Sequence, residues 1–414
     1  METDNTESGQ PGDTRRRRGI IPENKGKRFG YIIVVAGAFA ATFFFPGIAR
    51  PFHSGGVGYC EGCHSLHNSN SGTAPAPAGD PGAPAGTGSL LTGKDAGSTC
   101  LRCHSEAGAG HNVFSQNGSS YTPGGDFAWL KKTFHWTDDG KGNQSPGESH
   151  GHSVVAIEYG LTSDVRLSIA PGGTYPATTF SCISCHDPHG KVSGSSPAGG
   201  PIGGSGSYGE APAGGTIAGN YRLLGGAGYD GGGSGSGVAF TQPAPVAVAN
   251  RVDWKETETN HPDYGSGMSE WCVNCHAGMA SAGIGLGKSH PAGTAVKLGS
   301  GIVASYNAYV KTGDMSGSRA TAFLALVPFE RGTSDASLLH PSSTEGPDEN
   351  ANVMCLTCHR AHASAFASIG RWDFRATFIA ESHPNDRESY YGRDMVARFG
   401  RYQRSFCNKC HTRD

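Results

Sequence analysis

Six times this chain brings two cysteines and a histidine together in the order C-x-x-C-H. The sites are Cys60/Cys63/His64, Cys100/Cys103/His104, Cys182/Cys185/His186, Cys272/Cys275/His276, Cys355/Cys358/His359 and Cys407/Cys410/His411. The spacing suits covalent haem attachment. Two thiols two residues apart can each add to one haem vinyl group, which pins the following histidine under the ring where its imidazole reaches iron. All 12 cysteines are used. A secreted disulfide framework would also need an even cysteine count, and zinc sites also use C-x-x-C pairs. Neither explains a histidine directly after every pair. The motifs imply six covalently attached c-type haems.

The sixth ligand decides what each haem can do. Of the 18 histidines, twelve remain: His53, His67, His111, His135, His150, His152, His189, His261, His290, His340, His362 and His383. Two imidazoles close an iron to substrates and suit it to passing electrons. No motif carries lysine in place of the proximal histidine, the C-x-x-C-K variant that marks the catalytic haem of multihaem nitrite reductases. No catalytic residue is therefore expected, and the chain reads as an electron carrier rather than an enzyme. His67, His189 and His362 each lie three residues beyond a proximal histidine. A residue there cannot reach the far face of its own haem, though it can reach a neighbouring one.

Composition says how these sites must be held. The chain has 65 Gly in 414 residues and only 36% hydrophobic residues, too few apolar side chains to offset ordering entropy comfortably with a protein core alone. Haems would supply the missing apolar bodies. Beyond residue 49 there are about 61 residues per haem, too few for six separate domains. The haems must share walls, and the expected fold is mostly irregular coil with a few short helices, wrapped around them. Helical spacing of apolar residues is present only in Ser318–Phe329 and Tyr391–Cys407, with short turns expected at the attachment motifs. The Pro/Gly/Ala stretch Ser71–Ser89 and the Gly/Ser-rich stretch Ser193–Gly237 read as surface loops or flexible linkers. The motifs start at uneven intervals of 40, 82, 90, 83 and 52 residues, so there is no regular repeat.

Residues 1–49 read as an export signal. Arg15–Arg18, Lys25, Lys27 and Arg28 form a long basic region, and an apolar run follows from Tyr31 to Phe45. Small residues then lead to an expected cleavage after Ala49, leaving 50–414 as a single cytochrome domain. The run is short for a membrane span, which needs about 20 apolar residues, although an uncleaved anchor is the alternative. Removing 1–49 takes away more basic than acidic side chains, and the remainder is acidic. That balance does not favour a nucleic-acid partner.

Several stretches resemble the hexahaem cytochromes of Geobacter that polymerise into extracellular filaments. They are Phe52–Val57 leading into Cys60–His67, Thr122–Asp126 with Lys131 and Lys132, Cys185–Lys191, Gly267–Cys272, His359–Ser364, and Tyr402–Arg404 with Cys407–His411. The likeness runs from Phe52 to Asp414 with the motifs in the same order. It implies bis-histidine haems stacked in a continuous chain, with one axial histidine supplied by the adjacent subunit. His67 matches that residue, and its expected iron is the one held by Cys355, Cys358 and His359. His135, His261 and His383 have no counterpart in the family, and His152 is favoured over His150. Eight candidates remain for six distal places: His53, His67, His111, His152, His189, His290, His340 and His362. The loop 71–89 and the segment between Arg371 and Arg393 depart from the family.

The resulting expectation is long-range electron transfer at the outer surface or outside the cell, through a homopolymeric filament. Donors would sit in the periplasm or outer membrane, and the acceptor would be extracellular, such as a metal oxide. The alternatives are a multihaem reductase of a small oxyanion and a monomeric periplasmic shuttle.

Overall fold

Most backbone groups in this fold find partners in turns and loop crossings rather than in ladders. The computed structural model describes residues 62–64, 91–106, 111–188, 220–231, 236–250, 253–279 and 290–411. Among them are five short α-helices: α1 Ala96–His104, α2 Met268–Cys272, α3 Ser300–Ala308, α4 Cys355–Cys358 and α5 Met395–Phe399. Four strands pair as two antiparallel hairpin-sized sheets, β1 Phe134–Asp138 with β2 Lys141–Ser145 and β3 Val246–Val248 with β4 Asp263–Ser266. The expected coil-dominated fold with few helices is what forms. Among the described residues no helix is long and apolar enough to cross a membrane. The export segment 1–49 and the stretch Ser71–Ser89 lie outside the described residues.

Local chemistry explains where the short elements start and stop. Asp95 caps α1, its carboxylate accepting from the Ser98 backbone N–H at 2.7 Å, and Leu101 inside the helix is fully buried. The β1–β2 turn is Asp139-Gly140, with φ of 47° and 74°, the left-handed pair that a tight hairpin requires. Asp394 caps α5 by accepting from Ala397 N–H, and Gly400 at φ 87° stops it.

Two helical expectations need correction. Ser318–Phe329 forms only a 3₁₀ turn at Arg319–Thr321. Ala322 to Glu330 is then buried at every position, so it has no solvent face to make it amphipathic. Its backbone bonds elsewhere, Phe323 N–H to Thr344 O and Glu330 N–H to Asn352 O, and Pro328 denies it a helical donor. In Tyr391–Cys407 only Met395–Phe399 is α-helical, followed after Gly400 by the 3₁₀ turn Phe406–Lys409.

The loop reading of Ser193–Gly237 also fails where it is described. Tyr221, Leu224 and Tyr229 are buried, and the Tyr229 hydroxyl donates to the carbonyl of His186 at 2.9 Å. Glycine there serves close packing, because a Cβ on Gly225 would collide with the Tyr229 ring.

Among the described residues three apolar clusters form the core, and each runs up to attachment cysteines. The largest, including Trp129, Leu326, Phe366, Trp372 and Phe406, packs against Cys358 and Cys410. The second reaches Cys185 and the third Cys275. The protein core therefore ends where a cofactor would continue it. A fully buried ionic cluster also sits in this body: Glu256 accepts from Arg360 at 2.8 Å and from Arg371 at 3.1 Å. The Arg360 guanidinium lies 3.6 Å over the Tyr391 ring.

Candidate haem sites

Each fully described attachment motif is one helical turn. The histidine N–H returns to the carbonyl of the first cysteine, at 3.0 Å for His186, His276 and His359 and 2.9 Å for His411. Such a turn puts the two thiols and the imidazole on one side. The second motif is the end of α1, where Cys100, Cys103 and His104 occupy the last turn with both cysteines half-buried. Cys103 differs from the second cysteines of the later motifs. Cys185, Cys275, Cys358 and Cys410 each pack against an apolar cluster, whereas Cys103 touches none of the three among the described residues. In the first motif, Cys63 and His64 are described and half-buried, and Thr92 N–H donates to the Cys63 carbonyl at 2.8 Å, tying the motif to the approach to α1. Cys60 lies outside the described residues.

Second contacts fix the rings. The Nδ1 of His104 lies 3.1 Å from His111 O, that of His186 2.8 Å from Arg222 O, that of His276 2.8 Å from Pro171 O and that of His359 2.7 Å from Ser368 O. A carbonyl oxygen only accepts, so Nδ1 carries the hydrogen and the Nε2 lone pair is left for a metal. Arg222 and Ser368 reach these rings from left-handed backbone, at φ 49° and 58°, each followed by a second left-handed residue. The cost of that conformation is sustained where the carbonyl must be aimed at a ligand.

The structure sets four proximal histidines, His104, His186, His276 and His411, near a second imidazole. Ring centroids are 6.2 Å apart for His104 and His111, and 6.3 Å for His186 and His362. They are 6.0 Å apart for His276 and His152, and 5.9 Å for His411 and His290. Two metal–imidazole bonds of about 2 Å each, plus the two ring radii, require a separation of roughly 6 Å. The residues present therefore fit a six-coordinate haem at each gap. The second rings are tethered too, His152 Nδ1 to Ala361 O at 2.7 Å and His290 Nδ1 to Pro291 O at 2.8 Å. The His362 tether is looser, 3.4 Å to Gly125 O, with Phe127 stacked on the ring at 4.8 Å.

His362 also depends on two glycines. Its N–H and that of Ala361 both donate to Gly124 O, and Asp126 N–H donates to Ala363 O. Gly125 has φ 105°, and a Cβ there would run into Ala363 O. Burial drives the His362 pKa down to about 3, with the His186 ring adding to the effect. Burial and then His276 take His152 to about 4. Burial lowers His104, His186 and His359 as well. These rings are held neutral, the form that binds a metal.

The attachment loops adjoin in chain order. Helix α1 packs against the turn at Cys182–Ser184, and α2 packs against α4. Trp271 Nε1 donates to Gly225 O, and Gly225 N–H donates to Cys185 O, which links the third and fourth loops. Cys358 and Cys410 border one apolar cluster. Sites two to six thus form one uninterrupted series. Among the described residues no group of three or more His, Cys, Asp or Glu could enclose a metal ion, and haem iron needs only two protein ligands.

Other candidates fare differently. His340 is exposed, its backbone N–H donating to Asp263 at 2.9 Å, and among the described residues no imidazole faces it. His359 meets the edge of Phe374 at 5.6 Å, and no described imidazole faces it at the iron-spanning distance. His53, His67 and His189 lie outside the described residues. His150 has both nitrogens engaged, by Trp129 O and the Ser145 hydroxyl, and His261 lies between Pro262 O and Ser343 O. His383 stacks on Trp136 at 4.5 Å. The carbonyls of Arg222, Pro171 and Ser368, and the hydroxyl of Tyr229, went unread in the sequence. No residue type marks where a backbone carbonyl will accept, though the tyrosines in the Gly/Ser stretch were a visible clue.

No protein-family model matches the chain. It is 39% identical over 441 aligned residues to the C-type cytochrome OmcS of Geobacter sulfurreducens, covering 93% of this chain and 99% of that one. The structure matches an outer-membrane cytochrome S filament from that organism at TM-score 0.71 with 38% identity. It matches the OmcS nanowires at TM-score 0.74 with 40% identity, each comparison covering 88% of this chain and 100% of the other. With the motifs in one series, their rings spaced for iron and the likeness spanning nearly the whole chain, this protein belongs to the OmcS family of c-type cytochromes.

Proposed function

We propose that the protein is an exported electron carrier that polymerises into a filament and passes electrons along a continuous row of six haems to an acceptor outside the cell. The observation that carries this reading is the set of four imidazole pairs spaced for iron on attachment loops that adjoin in chain order. Bound haem supplies the one-electron chemistry. The chain's part is to hold paired rings, fix their tautomers through backbone carbonyls and wall the sites from substrates. The pairings proposed are His104 with His111, His186 with His362, His276 with His152, and His411 with His290. Cleavage after Ala49 would release residues 50–414, with periplasmic or outer-membrane donors and an extracellular acceptor such as a metal oxide.

His359 supports the polymer reading, because its pairing would come from His67 of the next subunit. A ligand passed head to tail is a heterologous contact, the kind that builds open filaments when the rotation does not close. The same ring also favours a second reading, a reductase with one open haem. A spin-state count separates the readings. Filaments should hold six low-spin irons, and dissociation should turn one in six high-spin. A high-spin iron already present in intact filaments, with turnover of nitrite or hydroxylamine, would establish the reductase. Six low-spin irons in a monomer that never assembles would establish the shuttle.

A further inference from the structure

Fixed charge is distributed unevenly along the attachment loops. Lys409 lies inside the sixth loop, between Cys407 and Cys410, yet it is only 3% exposed. Its Nζ donates to the carbonyls of Tyr306 at 3.1 Å and Tyr309 at 3.0 Å, and sits 4.2 Å over the Tyr306 ring. Among the described residues no carboxylate comes within ion-pair distance of it. Behind the fifth loop, Arg371 Nε donates to Leu356 O at 2.6 Å and His359 O at 3.1 Å. Its side chain is fully buried, and its Nη2 has no acceptor among the described residues. Arg360 and Arg371 share the single carboxylate of Glu256, so this cluster is positive as well. Glu330 is fully buried and bonded to neutral donors, Met268 N–H and the Asn352 amide, and burial pushes its carboxyl pKa up.

We propose that Lys409, together with the Arg360–Arg371–Glu256 cluster, sets an electrical bias that raises the reduction potentials of the fifth and sixth haems, so that electrons settle towards the C-terminal end of each subunit. The inference rests on the haem reading above. The reaction concerned adds one electron to ferric iron, with no bond made or broken. Ferric haem carries one more positive charge than ferrous, so a nearby fixed cation penalises the oxidised state and raises the potential. Burial matters because a low-dielectric setting screens the charge far less than water does. Lys409 lies within the sixth loop, and Arg371 is bonded to the Leu356 and His359 carbonyls of the fifth.

Opposite charge changes should move the potential in opposite directions. The experiment is a spectroelectrochemical titration of the assembled holoprotein, with six haems confirmed by intact mass and low-spin spectra unchanged. Lys409→Gln should shift one sixth of the absorbance change to a more negative potential and leave the rest in place. Lys409→Arg, which keeps the charge, should leave the curve where it is. Glu256→Gln, which leaves the two guanidiniums uncompensated, should move a one-sixth component to a more positive potential. Curves that coincide for all variants, or that shift the same way for Lys409→Gln and Glu256→Gln, would overturn the bias while leaving the haem reading intact. Should Lys409→Gln fail to mature, the upward shift in Glu256→Gln alone decides the matter. Loss of haems from every variant would instead point to a structural role for the cluster and overturn the proposal.

Discussion

The site around His186 and the site around His359 are built alike and finished differently. In each, a left-handed residue, Arg222 or Ser368, aims its carbonyl at the proximal Nδ1. Across the gap His186 meets His362, delivered by the Gly124–Gly125 crossing, whereas His359 meets the edge of Phe374. The tether is therefore common to sites that meet a second described imidazole and to one that meets none among the described residues. The second ring is what varies, and under the proposed pairing that ring would decide whether a site belongs to one subunit or to two.

The sharpest way to break this contrast is to open the closed site. His362→Ala should keep six haems by mass but turn one iron high-spin. It should also destabilise the subunit by roughly 3–5 kcal/mol, because the Phe127 stack is lost with the ligand. Six low-spin irons in this variant would refute the His186–His362 pairing. His67→Ala should leave subunit stability nearly unchanged and abolish polymerisation, with one iron losing its sixth ligand. Electron microscopy and a spin-state measurement check it together, and intact filaments would disprove the shared ligand.

Gly125→Ala tests the crossing rather than the ligand. A Cβ at φ 105°, driven into Ala363 O, cannot be accommodated without moving the His362 segment. A loss of about 3 kcal/mol in chemical denaturation is expected, with broadened low-spin signals from one haem.

Acid should affect the wall that both sites share. Burial pushes the Glu256 pKa up, but the guanidiniums of Arg360 and Arg371 pull it further down, so it ends below the ordinary value. A depressed carboxylate contributes stability above its unfolded value of about 4.3, and that stability is lost as pH falls through the folded value. Melting temperature should therefore drop below pH 5, and Glu256→Gln should flatten that part of the profile. The smallest effect belongs to His340→Ala, which should change neither the low-spin count nor filament yield, since that ring is exposed and faces no described partner.

Much of this was legible in the amino-acid order alone. The C-x-x-C-H spacing is chemically restrictive, so cofactor type and number followed from it, and the low apolar content correctly foretold coil. What could not be read were long-range meetings. His276 finds its partner in His152, His411 finds His290, and nothing in local spacing encodes either. Nor does the motif tell its cysteines apart, although Cys103 stands clear of the apolar clusters that Cys358 and Cys410 join. Ser318–Phe329 misled because apolar residues at helical intervals also describe a chain buried on every side. The Gly/Ser stretch misled because glycine there permits the close approach of Tyr229 rather than freedom.

The order of the pairings has a bearing on biosynthesis. A chain exported from its N-terminus can complete the His104 site once residue 111 has emerged, and the His276 site as soon as that motif arrives, because His152 is already present. The His186 site must wait for residue 362. Under the proposed pairing, an iron there would lack its second imidazole until the late segment docks on Gly124 and Gly125. On that pairing, a chain truncated before residue 362 would carry the His186 site without its second ring.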